Sequence, residues 1–334
     1  VRPGRRPRAG RDASRAASRA AGSTGALGAE AIREAVLRSA RIGVVRSRRE
    51  ARGPLVGEYA SAFRSGGMVF EESRPYVPGD DVRRMDWNAM ARSGLPWVKH
   101  YREERDRAVS VLLDTSASMA FASRGPSLAE LGARVAALLV AVAARAGDRV
   151  RLLTSEDAAA TPFARGTAGA WRIIEALARR AAEPGGRAGF ESVIERAGRG
   201  AHPDAIVFVV SDFRPAGGAG APAPTLPAAL AGLAKRSDVI SVVLDDPLSR
   251  ALPAAGRVRI ADPEAPTRTR VLDTGDSRVR SRYAALARER ARALERGLRR
   301  HGSDVVWLRT DRDPLPALAH FFRVRAAHVG SPSP

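Results

Sequence analysis

The chain has no cysteine, so disulfides, thiolate metal sites and thiol nucleophiles are excluded. Lysine is almost absent too: Lys99 and Lys235 are the only two, and arginine carries the basic charge. The longest apolar run, Val135 to Ala144, is far short of the roughly 20 residues that cross a bilayer, and the amino-terminal residues hold no apolar signal-peptide core. The chain is therefore expected to be soluble and cytoplasmic. There is no Gly-rich loop followed by Lys and Ser or Thr, which excludes a P-loop ATPase. The five histidines, His100, His202, His301, His320 and His328, stand at no metal-ligand or triad spacing, and no internal repeat is found.

What is present describes a protein able to bury a sizeable core. Its 334 residues are 44% hydrophobic and 28% charged, enough for one large domain with an appendage or two modest ones. The formal net charge of +20 is unevenly placed: residues 1–52 hold fourteen Arg against four Asp or Glu, and so supply half of it. Residues 1–28, mostly Arg, Ala, Gly and Ser, read as a disordered tail, because they cannot offset the entropy of ordering. Whether that tail is only solvated or acts as an anion-binding arm stays open.

Residues 29–52 read as a helical lead-in, with Ile32, Val36 and Leu37 at helical spacing between Ala29 and Ile42. Residues 53–105 change texture, with turn signals at Gly66-Gly67 and Pro78-Gly79-Asp80-Asp81, and read as a small irregular or β-rich module. From residue 106 to 325, apolar strands alternate with helical stretches, which predicts an α/β domain with a doubly wound, mostly parallel sheet. The predicted strands are Ala108–Leu113, Arg149–Thr154, Ala205–Val210, Val239–Leu244 and Val305–Leu308. The predicted helices are Leu128–Ala146, Ala170–Ala182, Phe190–Ala197, Leu226–Lys235, Ser281–His301 and Pro314–Phe322. Pro215 to Pro227 is a Gly, Ala and Pro loop suited to the edge of a site, and residues 326–334 read as a disordered carboxyl terminus.

In an open parallel sheet, ligands bind at the carboxyl ends of strands where their order reverses. Two predicted strands end in oxygen-bearing groups: Asp114, Ser116 and Ser118 after the first, Ser211 and Asp212 after the third. A hard divalent cation takes oxygen ligands, so one carboxylate and two hydroxyls at alternate positions of a short loop can converge on one, with Asp212 acting through water. The same groups can also form a hydrogen-bonded loop network without metal, and Ser118 or Ser127 can cap a helix.

Preceded by Val109-Ser-Val-Leu-Leu and followed by Met119, this segment resembles the metal-ion-dependent adhesion site, or MIDAS, of von Willebrand factor A domains. That resemblance implies metal ligation by Asp114, Ser116, Ser118 and Asp212, with Mg²⁺, Mn²⁺ or Ca²⁺ as the cation. The family also uses a Thr from a second loop. The best register here, Ala188 to Ile194, puts Ala188 in its place, with Glu191 and Ser192 nearby.

A longer resemblance lies upstream. The stretch Gly66 to Arg92, with Arg74-Pro-Tyr-Val-Pro-Gly-Asp-Asp-Val-Arg-Arg-Met-Asp-Trp87 at its centre, is similar to the hallmark of the family known as domain of unknown function 58. Agreement continues at Glu103-Glu-Arg105, Ser211-Asp-Phe213, Ser237 to Pro247 and Phe321-Phe-Arg323, so the likeness runs over roughly residues 53–325. Arg74, Tyr76, Asp80, Asp81, Arg83, Asp86, Trp87 and Arg92 read either as a structural clasp or as a partner-docking surface. Trp87 and Tyr76 offer apolar area to seat the module on the α/β domain.

The family resemblance implies a non-enzymatic, protein-binding partner of a MoxR-type AAA+ ATPase, acting in chaperone-like assembly or maturation on a client protein. Two other classes remain open. One is a nucleic-acid or anionic-surface binder working through the Arg-rich amino terminus. The other is a metal-dependent hydrolase using Asp114 and Asp212.

Overall fold

The computed structural model describes residues 54–63, 68–103, 107–123, 125–154, 162–180, 190–199, 205–214, 226–262 and 265–329. The expected tail and helical lead-in, Ala188 and residues 215–225 of the expected loop lie outside these residues.

The centre is a five-stranded sheet of β3 (Ala108–Leu113), β4 (Arg149–Thr154), β5 (Ala205–Ser211), β6 (Ser237–Asp245) and β9 (Ser303–Arg309). Every pairing is parallel and the spatial order is β4-β3-β5-β6-β9. Counted along the chain this is 2-1-3-4-5, a doubly wound order whose direction of winding reverses between β3 and β5. Each strand alternates its apolar residues between two cores, the pattern of a sheet covered on both faces. On one face, Val109, Val111, Phe208, Val210, Ile240 and Val242 pack against α3 (Leu128–Ala146), α4 (Gly166–Arg180) and α9 (Pro314–Val329). On the other, Leu112, Val207, Val209 and Val243 meet α5 (Phe190–Arg199), α6 (Leu226–Ala234) and the end of α8 (Ser277–Arg300).

Helix α1 (Pro54–Ala62) departs from the expected plan. It begins the segment read as a small module, yet Leu55, Tyr59, Ala62 and Phe63 are buried in the first of these cores. The Tyr59 ring sits 4.9 Å from Phe63 and edge-on to Phe322 at 5.6 Å, and its hydroxyl donates to Asp148 Oδ2 at 2.9 Å. Burial and the Asp148 carboxylate push the phenol well above its ordinary pKa, so it stays a neutral donor. Asp148 is itself fully buried and is answered by Arg107 Nε at 3.3 Å. At the other end of the chain, α9 continues to Val329, so residues 326–329, expected to be disordered, are helical.

The remainder of the expected module is an antiparallel pair, β1 (Met68–Pro75) and β2 (Trp97–Glu103), bridged by a 3-10 turn and by α2 (Trp87–Ser93). A second antiparallel hairpin, β7 (Arg257–Asp262) and β8 (Ala265–Asp273), follows the one-turn helix α7 (Pro247–Arg250) and leads into α8. Helix α8 has 24 residues, of which only Leu298 is buried. Its first turn carries Arg278 and Arg280 and no acid, against the helix dipole. Arg288, Arg292, Arg296 and Arg300 follow at four-residue spacing, where each like-charged pair costs a helix about 0.2–0.5 kcal/mol.

Because Tyr59 fills a fully buried position, Tyr59→Ala should lower stability in urea unfolding by about 3–5 kcal/mol. A loss below about 1 kcal/mol would show that α1 is not part of the α/β core.

Candidate functional site

The carboxyl ends of β3 and β5 lie side by side at the point where the strand order reverses. After β3 the chain leaves the sheet at Asp114 and enters a 3-10 turn, Ala117–Ala120, headed by Ser116. Met119, almost wholly buried, anchors this turn against the start of α3. Gly132 makes that contact possible: a Cβ there would stand 3.0 Å from Leu113, 3.1 Å from Leu244 and 3.3 Å from Met119. Ser127 is the capping residue of α3, in a reciprocal box with Glu130, whereas Ser116 makes no side-chain cap. The hydroxyls of Ser116 and Ser118 are thus left facing each other, 3.2 Å apart.

Two buried carboxylates meet these hydroxyls. Asp114 Oδ1 accepts from the Ser116 backbone at 2.9 Å, and its Oδ2 accepts from Ser211 Oγ at 2.6 Å. Burial raises the Asp114 pKa, and the Ser211 hydroxyl and the Ser116 groups oppose the rise. Asp212 is pushed up to about 6, first by burial and then by the negative charge of Asp114, against the pull of Arg214 and a bond from Ser118. Its Oδ2 is buried and has no hydrogen-bond partner; the nearest cation is Arg214 Nε at 3.4 Å.

All four residues expected to bind metal, Asp114, Ser116, Ser118 and Asp212, therefore come together, and every donor is a hard oxygen. A divalent cation would fit this donor set: it would neutralise two buried acids and give Asp212 Oδ2 a closer partner than Arg214. Among the described residues there is no group of three or more His, Cys, Asp or Glu that could hold a metal, so a cation here would rely on hydroxyls beside two carboxylates. Glu191 and Ser192 begin α5, while Ala188 just before them lies outside the described residues.

Sequence placed Ser211 at a strand end beside Asp212 but gave it no role of its own, and the parts played by Phe213, Arg214 and Asp246 were not singled out. Ser211 both orients Asp114 and accepts from the Phe213 backbone at 2.9 Å. Phe213, buried, has φ of 51° and is the only non-glycine with positive φ among the described residues. Such strain gathers at functional sites, and here the turn brings Arg214 back over Asp212, where Arg214 also bonds Ser249 Oγ. Asp246, fully buried, braces the rim: it accepts from the Ser123 backbone at 3.1 Å and from Thr310 Oγ1 at 3.0 Å. The acid pair Asp245-Asp246 at a strand end was the available signal.

The clasp residues form a separate, self-contained unit. Arg74 grips Asp80 bidentately at 2.8 and 2.7 Å, and Asp80 accepts from the Val77 backbone at 2.9 Å. Asp81 caps the 3-10 turn through the Arg83 backbone. Asp86 caps α2 and takes a 2.6 Å bond from Ser73 Oγ, which with the α2 amides holds its carboxyl below the usual range. The Tyr76 backbone donates to Pro96 O, and Arg92 Nε donates to Asn88 O. Of Arg74, Arg83 and Arg92, only Arg74 pairs with a carboxylate among the described residues. Trp87, expected to seat the module on the α/β domain, is instead 66% exposed at the head of α2, just after the capping residue Asp86.

A family model described as "Protein of unknown function DUF58" matches residues 72–293, about two thirds of the chain. An uncharacterized protein of Mycobacterium tuberculosis is 28% identical over 283 residues, covering 82% of this chain and 84% of its own, and an uncharacterized protein of Mycobacterium bovis matches to the same extent. The crystal structure of the conserved hypothetical protein BatB from Bacteroides thetaiotaomicron aligns at a TM-score of 0.40 with 19% identity, over 66% of this chain and 99% of that one.

The raised pKa of Asp212 has a stability consequence of definite sign. Folding favours its neutral form, so the cost of burial is absent below the unfolded pKa near 4 and grows as pH rises through about 6. In metal-free buffer at pH 8, Asp212→Asn should therefore stabilise the protein by up to about 3 kcal/mol, an advantage that fades by pH 4. Thermal unfolding across that range measures it; equal midpoints at pH 8 would refute the buried-charge account.

Proposed function

The chain belongs to the DUF58 family, and on that premise we propose that it is a non-enzymatic adaptor that captures an acidic side chain of a protein partner through a divalent cation held by Asp114, Ser116, Ser118 and Asp212. The observation that carries this reading is the pairing of two buried acids with two facing hydroxyls at the switch point of the sheet. A cation bound there would supply a Lewis-acidic position to which a partner carboxylate binds. The protein's own groups prepare it: Ser211 fixes the orientation of Asp114, Asp246 holds the loop after Ser118, and Arg214 supplies a second positive group at the rim.

Capture rather than hydrolysis is favoured by the ligand chemistry. Hydroxyl-rich coordination leaves fewer carboxylates to take a proton from an attacking water, and no histidine is among the site's residues. The partner that the family resemblance implies is a MoxR-type AAA+ ATPase, which would provide the work in maturing or assembling a client. Among the described residues, no helix is long and apolar enough to cross a membrane.

Complex formation with a MoxR-type ATPase from the same organism tests the proposal. In Mg²⁺ the intact chain should bind and change ATP turnover, and Asp114→Ala should weaken binding by about tenfold or more, comparable to the effect of chelation. Neither complex nor altered turnover, or full binding by the variant, would overturn it.

A further inference from the structure

The basic charge beyond residue 52 is concentrated in one stretch of the chain. Between Arg257 and Arg300 there are thirteen Arg and six Asp or Glu, an excess of seven out of the ten that the chain carries beyond residue 52. This stretch is the β7–β8 hairpin and α8, joined by the turn Thr274–Asp276. On α8, Arg288, Arg292, Arg296 and Arg300 are all exposed, and none of the four makes an ion pair among the described residues. The first three line one shallow groove with Ala285 and Glu289. Arg257, Arg259 and Arg270 of the hairpin are exposed as well.

We propose that this helix flank is a binding surface for the phosphate backbone of duplex nucleic acid, independent of sequence and distinct from the carboxylate-and-hydroxyl site. Four-residue spacing sets the guanidinium groups at intervals of about 6 Å along the helix, a regular row suited to a regular row of phosphates. Like-charge repulsion along the row is unfavourable to the helix by itself, and a polyanion removes that penalty.

Other occupants fit less well. A protein interface concentrates its binding energy in desolvated aromatic or aliphatic anchors, whereas the groove offers Ala285 and the stem of Glu289. A single strand needs exposed aromatic rings for its bases. The one aromatic of this region, Tyr283, is half-buried and donates its hydroxyl to Leu248 O.

Fluorescence anisotropy with two unrelated DNA duplexes of about 20 base pairs, titrated with the full chain over a range of KCl, tests the inference. Both duplexes should bind with similar affinity. In Arg288→Gln/Arg292→Gln/Arg296→Gln, affinity should fall about tenfold or more and the slope of log K against log salt should shrink by about 3. Because these side chains are exposed and unpaired, the variant should keep the circular dichroism spectrum of the parent. Should it unfold, single Arg292→Gln gives the same reading with a slope change of about 1. The proposal is overturned if the intact chain does not bind, if one sequence is strongly preferred, or if the variants retain affinity and slope, which would assign binding to residues 1–52. Loss of binding to anionic vesicles with duplex binding unchanged would overturn it in favour of a membrane surface.

Discussion

Two carboxylates buried against each other at the end of a parallel sheet set the terms for the rest of this protein. Asp114 and Asp212 leave adjacent strands β3 and β5 where the winding reverses, so the backbone itself directs both into one cleft. Burial works against the ionisation of both, and the charge of Asp114 adds to it at Asp212, whose pKa is pushed up to about 6. A fold that keeps such a pair must either protonate it or supply a cation. Ser116, Ser118 and Ser211 supply hydrogen bonds and oxygens, and Arg214 partly neutralises Asp212 from the rim without a hydrogen bond to its Oδ2.

Much of the scaffold serves to hold that arrangement still. Gly132 lets α3 approach the sheet closely enough for Met119 to lock the first loop, and Asp246 ties the same loop to the ends of β6 and β9. The αL turn at Phe213 brings the third loop back over the site. Helix α1, with Tyr59 on Asp148, fastens the preceding chain to the same core at its other end. The Arg74–Asp80 and Asp86 network then shapes a small unit on which Trp87 is exposed.

The sheet was readable from sequence because its strands are short apolar runs buried on both faces, and polar residues punctuate their ends. Ala108–Leu113 and Arg149–Thr154 were predicted to the residue, and α3 likewise, since Ser127 and Gly147 bracket a mostly apolar helix. The first loop of the site was legible because Asp-x-Ser-x-Ser follows a strand directly. Other parts left weaker traces. Helix α1 has its buried residues Leu55, Tyr59 and Ala62 at helical spacing, but Gly57 and the neighbouring turn residues masked that signal. Strand β7 alternates Arg with Val and Ile, and Arg257 to Ala261 are exposed on both faces, so it lacks the contrast that marks a half-buried strand. Asp246 acts across long sequence separations, and Arg214 reaches Asp212 through the turn at Phe213, neither of which spacing alone reveals.

A fold built around two buried acids and two facing hydroxyls should take up a hard cation. Direct binding of Mn²⁺ to the full chain at pH 7.5, followed by the loss of its free electron-paramagnetic-resonance signal, is the most immediate test. The account predicts saturable uptake at a single site that Asp114→Ala abolishes and Mg²⁺ displaces. No uptake at millimolar Mn²⁺, or uptake unchanged in Asp114→Ala, would contradict it.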